Sequence, residues 1–245
     1  MRIPIMAGNW KMFKTEMEAV DFANKLIPLV KDVTDRQIII FPNTTCLSKV
    51  CDVACPTNIG LGGQNIHWED QGAFTGETSA KMLRGVGCKY VLIGHSERRQ
   101  YFGETDETVN KKVHKALAEK LSPIICVGET LEQRESGNTM KIIETQVKGA
   151  IKDVQIKDWD NIIIAYEPVW AIGTGKTATP EQAQEVHAAI RKMLPAEVAD
   201  KTRILYGGSV KPANVKDIMA QPDIDGGLVG GASLKVDSFE QLIKY

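Results

Sequence analysis

The sequence predicts an α/β fold, a single-domain (β/α)8 barrel over residues 1–245. Short apolar segments alternate with longer amphipathic ones, the pattern of βαβ units on a parallel sheet. There are eight apolar segments, so the units average about 31 residues, and the length of 245 is near the ~250 of a closed barrel. No linker, low-complexity tract or charge discontinuity divides the chain. A doubly wound open sheet is the structural rival.

The strand candidates, in order, are Ile3–Ala7, Gln37–Phe41, Ile59–Gly62, Tyr90–Ile93, Ile124–Val127, Ile162–Ala165, Ile204–Tyr206 and Gly227–Val229. Each is short and apolar, as a strand buried on both faces requires. The amphipathic stretches Glu16–Lys31, Thr105–Lys120, Thr139–Lys152 and Pro180–Leu194 read as helices between them. Thr179 is an N-cap candidate with Pro180 in first position.

Composition narrows the function. The chain is 43% hydrophobic and 25% charged, with net charge −1 and no lysine/arginine block. That leaves no electrostatic footprint for nucleic acid or an anionic membrane. No apolar run approaches the 18 residues of a membrane span. Asn9-Trp10-Lys11 interrupts any signal-peptide core, so a cytoplasmic protein is expected, with Asn43-Thr44-Thr45 unglycosylated. Cys46, Cys51, Cys55, Cys88 and Cys126 form an odd set without C-x-x-C, read as free thiols rather than disulfides or zinc ligands. Cys51 and Cys55, spaced i, i+4, read as a helix packing face.

In a parallel barrel, chemistry gathers where strands end. The exits carry Asn9 and Lys11, Gln64 and Asn65, His95-Ser96-Glu97, Gly128-Glu129, Glu167, Gly207-Gly208-Ser209 and Gly230-Gly231-Ala232-Ser233. The most telling is Tyr166-Glu167-Pro168, which puts a carboxylate at a strand mouth ahead of a glycine-punctuated loop, the layout of a base under a lid. Taken singly, each has a plainer reading. Lys11 reads as a solvated lysine, His95 as a structural histidine, Arg98 and Arg99 as an exposed helical turn, and the glycine pairs as turns. Lysine, histidine and glutamate at three separate exits are harder to dismiss. The last two exits are also where barrels build phosphate sites from backbone N–H groups.

Two lookalikes fail. Gly175-Lys176-Thr177 resembles the end of a P-loop, but Trp170 stands where its first glycine is needed. Gly173-x-Gly175-x-x-Ala178 is separated from its strand by Glu167-Pro168-Val169-Trp170, so it is not a dinucleotide fingerprint.

The segments Ala7–Met12, Gly94–Arg99, Cys126–Glu129, Glu167–Thr177, Tyr206–Val210 and Val229–Ser233 closely resemble the triosephosphate isomerase family, in order and spacing, from Asn9 nearly to the C-terminus. The resemblance implies a TIM barrel that interconverts dihydroxyacetone phosphate and D-glyceraldehyde 3-phosphate, part of glycolysis and gluconeogenesis, with no cofactor. It implies Glu167 as base, His95 as neutral electrophile, Lys11 as the charge-stabilising cation, with Asn9 and Glu97 beside that lysine. It implies Asn9, Lys11, Gly173, Ser209, Gly230 and Gly231 around substrate and phosphate. Residues 168–178 match the lid, among them Pro168, Val169, Trp170, Lys176, Thr177 and Ala178. A homodimer is implied, with Gln64, Asn65 and Thr75 at its interface, and an internal salt bridge between Arg191 and Asp225. Gly63 and Gly227 depart from the family pattern and are expected to cost roughly 1 kcal/mol each in lost packing. The rivals are a Schiff-base aldolase using Lys11, a catalytically inert barrel serving as scaffold, and a nucleotide-binding open sheet.

Overall fold

The computed structural model describes residues 2–172 and 177–245. Its elements run β1 (Ile5–Asn9), α1 (Glu16–Val30), β2 (Gln37–Phe41), α2 (Leu47–Ala54), β3 (Ile59–Gly63), α3 (Ala80–Gly85), β4 (Tyr90–Ile93), α4 (Ser96–Phe102), α5 (Asp106–Ala118) and β5 (Ser122–Val127). Then come α6 (Leu131–Glu135), α7 (Thr139–Ala150), β6 (Ile163–Tyr166), α8 (Pro180–Met193), α9 (Ala196–Ala199), β7 (Arg203–Tyr206), α10 (Val215–Met219), β8 (Gly226–Val229) and α11 (Val236–Ile243). All strands pair in parallel and in sequence order, and β8 closes on β1 through Ile5↔Gly226. The closed (β/α)8 barrel is as expected, and the open-sheet rival falls.

Side-chain alternation along each strand sorts the core into two layers. Ile5, Ala7, Ile39, Phe41, Leu92 and Ile124 fill the barrel with their counterparts on β6 to β8. The other parity packs outward against the helices, as with Met6, Ile38, Ile40 and Val91. On β3 the inward places are Gly60 and Gly62. A Cβ there would meet Tyr90 at 2.7 Å and Phe41 at 2.2 Å, so these rings occupy the missing side chains' volume. The same parity, carried past the strand ends, aims Asn9, Glu167, Gly207 and Gly230 at the barrel mouth.

Three expectations need correcting. β1 and β6 are displaced toward the C-terminus, so Asn9 is a strand residue rather than a loop residue. Cys51 and Cys55 form a disulfide, because an i, i+4 pair stacks on one helix face and brings their Cα atoms within 4.9 Å. Cys46, Cys88 and Cys126 are free and buried. Nor does the packing loss expected at Gly63 and Gly227 arise. Leu83 Cδ1 lies 2.4 Å from where a Cβ on Gly63 would stand, and Met6 Sδ 3.3 Å from one on Gly227.

Helix α8 begins as its sequence requires: Gln182 N–H donates to Thr179 Oγ1 and Thr179 N–H to Gln182 Oε1. On its inner face Arg191 Nη2 donates to Asp225 Oδ2 at 2.7 Å, giving the expected internal salt bridge. One turn away His187 is fully buried between Tyr166 and Tyr206, its Nδ1–H on Ala183 O at 2.7 Å. Burial pulls its pKa from 6.5 down to about 4. The unfolded chain therefore binds this proton more tightly than the folded one. Stability from His187 is intact above 6.5, falls as pH drops through that value, and levels off below about 4. The loss amounts to about 3 kcal/mol. Urea unfolding at about pH 7.5 and about pH 5 is expected to show about 2 kcal/mol of that loss, and His187→Gln flattens the difference.

Candidate active site

The barrel mouth opens into a cavity of about 560 Å³. Asn9, Lys11, His95 and Glu167 line one side, and Ser209, Gly230 and Gly231 the other. Thus most of the catalytic and substrate-binding residues expected from the sequence converge on it. Gly173 and Lys176 lie outside the described residues.

Glu167 is buried, with its N–H on Val127 O at 2.7 Å. Only glycine fits across from it: a Cβ on Gly128 would lie 1.7 Å from Glu167 O. Glu167 Oε2 accepts the Ser96 N–H at 2.9 Å, and Oε1 lies 3.0 Å from His95 Nε2. Burial acts to raise the Glu167 pKa, but His95, the Ser96 N–H and Lys11 outweigh it and hold the carboxyl below its ordinary value.

His95 is the N-cap of α4, and its Nδ1 accepts the Glu97 N–H at 3.2 Å. That bond needs the Nδ1 lone pair, so the ring's proton sits on Nε2 and is donated to Glu167. Burial works to lower the His95 pKa, and the Glu167 charge more than offsets it in this arrangement. Once Glu167 turns toward another partner, burial, Lys11 and the helix N-terminus favour neutral imidazole, and only the Glu97 carboxylate still favours the charged ring.

Lys11 is not the solvated lysine of its plainer reading. Its Nζ bonds Glu97 Oε1 at 2.6 Å, and its backbone takes φ +51°. Asn9 Oδ1 accepts the Lys11 N–H at 3.0 Å, while Gln64 Nε2 donates to Lys11 O at 2.8 Å and Phe41 O at 2.9 Å. These bonds hold a conformation that a non-glycine residue rarely adopts.

Arg98 and Arg99, expected to be exposed, are partly buried and paired. Arg98 and Lys112 share Glu104, and Lys112 Nζ also donates to Asn65 Oδ1 at 2.7 Å. Arg99 holds Gly94 O at 2.9 Å and Asp106 at 2.6 Å. Thr75 stands on an exposed loop away from the cavity.

Pro168 and Ala178 are buried, Val169 and Trp170 half-buried, and Thr177 exposed. The sequence gives Glu129 no role, yet it is fully buried and accepts from Tyr166 Oη at 3.1 Å, Trp170 Nε1 at 2.9 Å and Arg134 Nη1 at 3.1 Å. Its signal was position alone, directly after β5. Across the cavity, Ser233 Oγ donates to Gly230 O at 2.7 Å and Asn214 Nδ2 to Ser209 O at 3.1 Å, which brace the two glycine turns. Among the described residues, no cluster of His, Cys, Asp or Glu could hold a metal ion, and no helix is long and apolar enough to cross a membrane.

A parallel barrel whose mouth brings carboxylate, imidazole and ammonium together opposite two glycine turns has the make-up of an enzyme that moves protons on a small polar substrate. Comparison with known proteins narrows this class. A family model described as triosephosphate isomerase matches residues 4–245. The triosephosphate isomerase of Endomicrobium trichonymphae is 56% identical over 248 residues, covering 100% of this chain and 99% of the relative. That of Chloroherpeton thalassium is 56% identical over 249 residues, and that of Trichlorobacter lovleyi 54% over 250, with the same coverage. The chain belongs to the triosephosphate isomerase family.

Proposed function

We propose that this isomerase interconverts dihydroxyacetone phosphate and D-glyceraldehyde 3-phosphate by proton transfer through an enediolate, as one catalytic domain over residues 1–245 working in the cytoplasm. Glu167 takes a proton from one carbon and returns it to its neighbour, which a carboxylate with two oxygens can span. His95 polarises the carbonyl through Nε2–H, and Lys11, steadied by Asn9 and Glu97, stabilises the charge that develops on oxygen. Ser209, Gly173, Gly230 and Gly231 offer backbone N–H groups to the phosphate. Residues 168–178 act as the lid that excludes water and so limits loss of phosphate from the enediolate. The reading uses no cofactor.

One observation carries this reading: Glu167 and His95 meet at 3.0 Å on the wall of a cavity whose far side is the glycine cradle. The Lys11–Glu97 ion pair weighs against the Schiff-base alternative, which needs a desolvated, uncharged lysine. The test is isomerisation of glyceraldehyde 3-phosphate in a coupled assay. Turnover is expected, and its absence in folded protein would favour the inert scaffold.

The proposal includes a homodimer in which the loop of residues 72–77 reaches its partner, with Thr75 beside the other chain's Asn9 and Lys11. Phe74 is 43% exposed, Met12 93% and Met17 83%, more apolar surface than a monomer usually leaves uncovered. Gln64 and Asn65 support this region from within. Sedimentation equilibrium is expected to give twice the 27.0 kDa chain mass, and a monomer would remove this part of the reading.

A further inference from the structure

The exit of β5 holds the exit of β6 in place. Glu167 N–H donates to Val127 O at 2.7 Å, and Val169 N–H to Glu129 O at 3.1 Å. The backbone of Glu167 and of the turn after it is therefore laid against residues 127–129. Gly128 stands between those two acceptors. Extended chain alternates, so its own N–H and C=O point to the opposite side. No strand among the described residues meets them there, because β4 ends at Ile93, opposite Ile125.

Glycine at 128 is required by the close approach of Glu167 O, and it leaves that peptide with little steric restraint of its own. Packing does not supply the restraint either. A cavity of about 520 Å³ lies alongside, lined by Gly128, Ser96, Glu167 and Val169 among others. The junction has room to shift into it.

Gln146 supplies what is missing. It sits on α7 between Ile143 and Ala150, three residues after the first and four before the second, in the stripe that packs on the barrel. An apolar residue would suit that stripe. Instead, Gln146 Oε1 accepts the Gly128 N–H at 2.7 Å, and its Nε2 donates to Gly128 O at 3.1 Å. One side-chain amide closes both peptide groups, as a neighbouring strand would.

We propose that Gln146 is a positioning residue for the isomerisation: by clamping the Gly128 peptide it sets where Glu167 and the Pro168–Trp170 turn stand. The inference rests on the reading of Glu167 as the base. Gln146 does not line the substrate cavity, so its effect falls on kcat rather than KM. The site is half-buried, so water can satisfy Gly128 once the amide is gone. Water does not fix its position, and a shift of about 1 Å at a base is costly.

The test uses Gln146→Leu, which removes both bonds, and Gln146→Glu, which makes them conditional on pH. A protonated carboxyl accepts and donates as the amide does, whereas an ionised one accepts the N–H and repels Gly128 O. Half-burial and that carbonyl both raise the pKa of the introduced carboxyl. Gln146→Leu is expected to lower kcat about tenfold with KM within about twofold. For Gln146→Glu, kcat relative to wild type is expected to rise at least about threefold from about pH 8 to about pH 5.5. Taking the ratio removes the titration of Glu167 itself. If Gln146→Leu does not fold, Gln146→Glu carries the test alone. Unchanged kcat in folded Gln146→Leu, a loss that appears in KM, or a ratio that does not vary with pH overturns the proposal. Glu167→Asp, assayed beside them, separates the two readings. If it too is unimpaired, the base assignment has failed; if it alone is slow, only the role of Gln146 has.

Discussion

Glu167→Asp lowers kcat by about 10²-fold or more, with KM nearly unchanged and the fold intact. The shorter side chain withdraws the carboxylate by about 1.5 Å, one carbon–carbon bond. A misplacement of that size is enough to cost about 10²-fold when proton transfer depends on near contact. The backbone has no room to compensate, because Glu167 N–H is tied to Val127 O and the chain opposite is pressed against it at Gly128. Ser209, Gly230 and Gly231, the residues proposed to hold the phosphate, line the cavity apart from the carboxylate, so binding is expected to survive while chemistry suffers. Steady-state kinetics in both directions reads the outcome. Unchanged kcat in the variant would leave the reaction in place and remove Glu167 as its base.

Glu104→Ala is expected to destabilise the fold by about 3–5 kcal/mol, the cost of stripping one partner from a buried ion pair. Glu104 bonds Arg98 and, at 2.5 Å, Lys112, whose side chain is only 5% exposed. Without the carboxylate, Lys112 keeps Asn65 Oδ1 alone, and Arg98 loses its anion. Asn65 neighbours Gln64, which pins Lys11, so a smaller loss of activity follows the loss of stability. Urea unfolding gives the first number and kcat the second. A change under about 1 kcal/mol would mean that water reaches this cluster.

The fold was legible because eight short apolar runs alternate with longer amphipathic stretches at the spacing of a closed barrel. Strand limits were less so. Asn9 is polar and looks like loop, yet it pairs with Phe41 as the last residue of β1. Hydrogen bonding to a neighbouring strand decides that, and a single chain segment does not display it. Of the site, Glu167, His95 and the glycine turns could be read from position at strand exits. Arg98 and Arg99 could not, because their partners Glu104 and Asp106 come from the next loop and helix, and burial there depends on packing. Glu129 escaped for a similar reason: its three partners come from β6, the segment after it, and α6. The Cys51–Cys55 bond turns on one helical turn of geometry, while cysteine count argued for thiols. Leu83 standing in for a side chain at Gly63 is a long-range substitution that only three dimensions reveal.

The imidazole donor of His95 and the carboxylate acceptor of Glu167 are engaged with each other. A carboxylate that already accepts the His95 N–H, facing an imidazole whose N–H is engaged, must exchange that bond before either group can act on a carbonyl. Parting them requires binding energy, which on the proposed reading a phosphoryl group delivers at the glycine turns. Promiscuity is thereby suppressed by energetics rather than by pocket shape. A short aldehyde without a phosphoryl group meets a self-quenched site, whatever its fit.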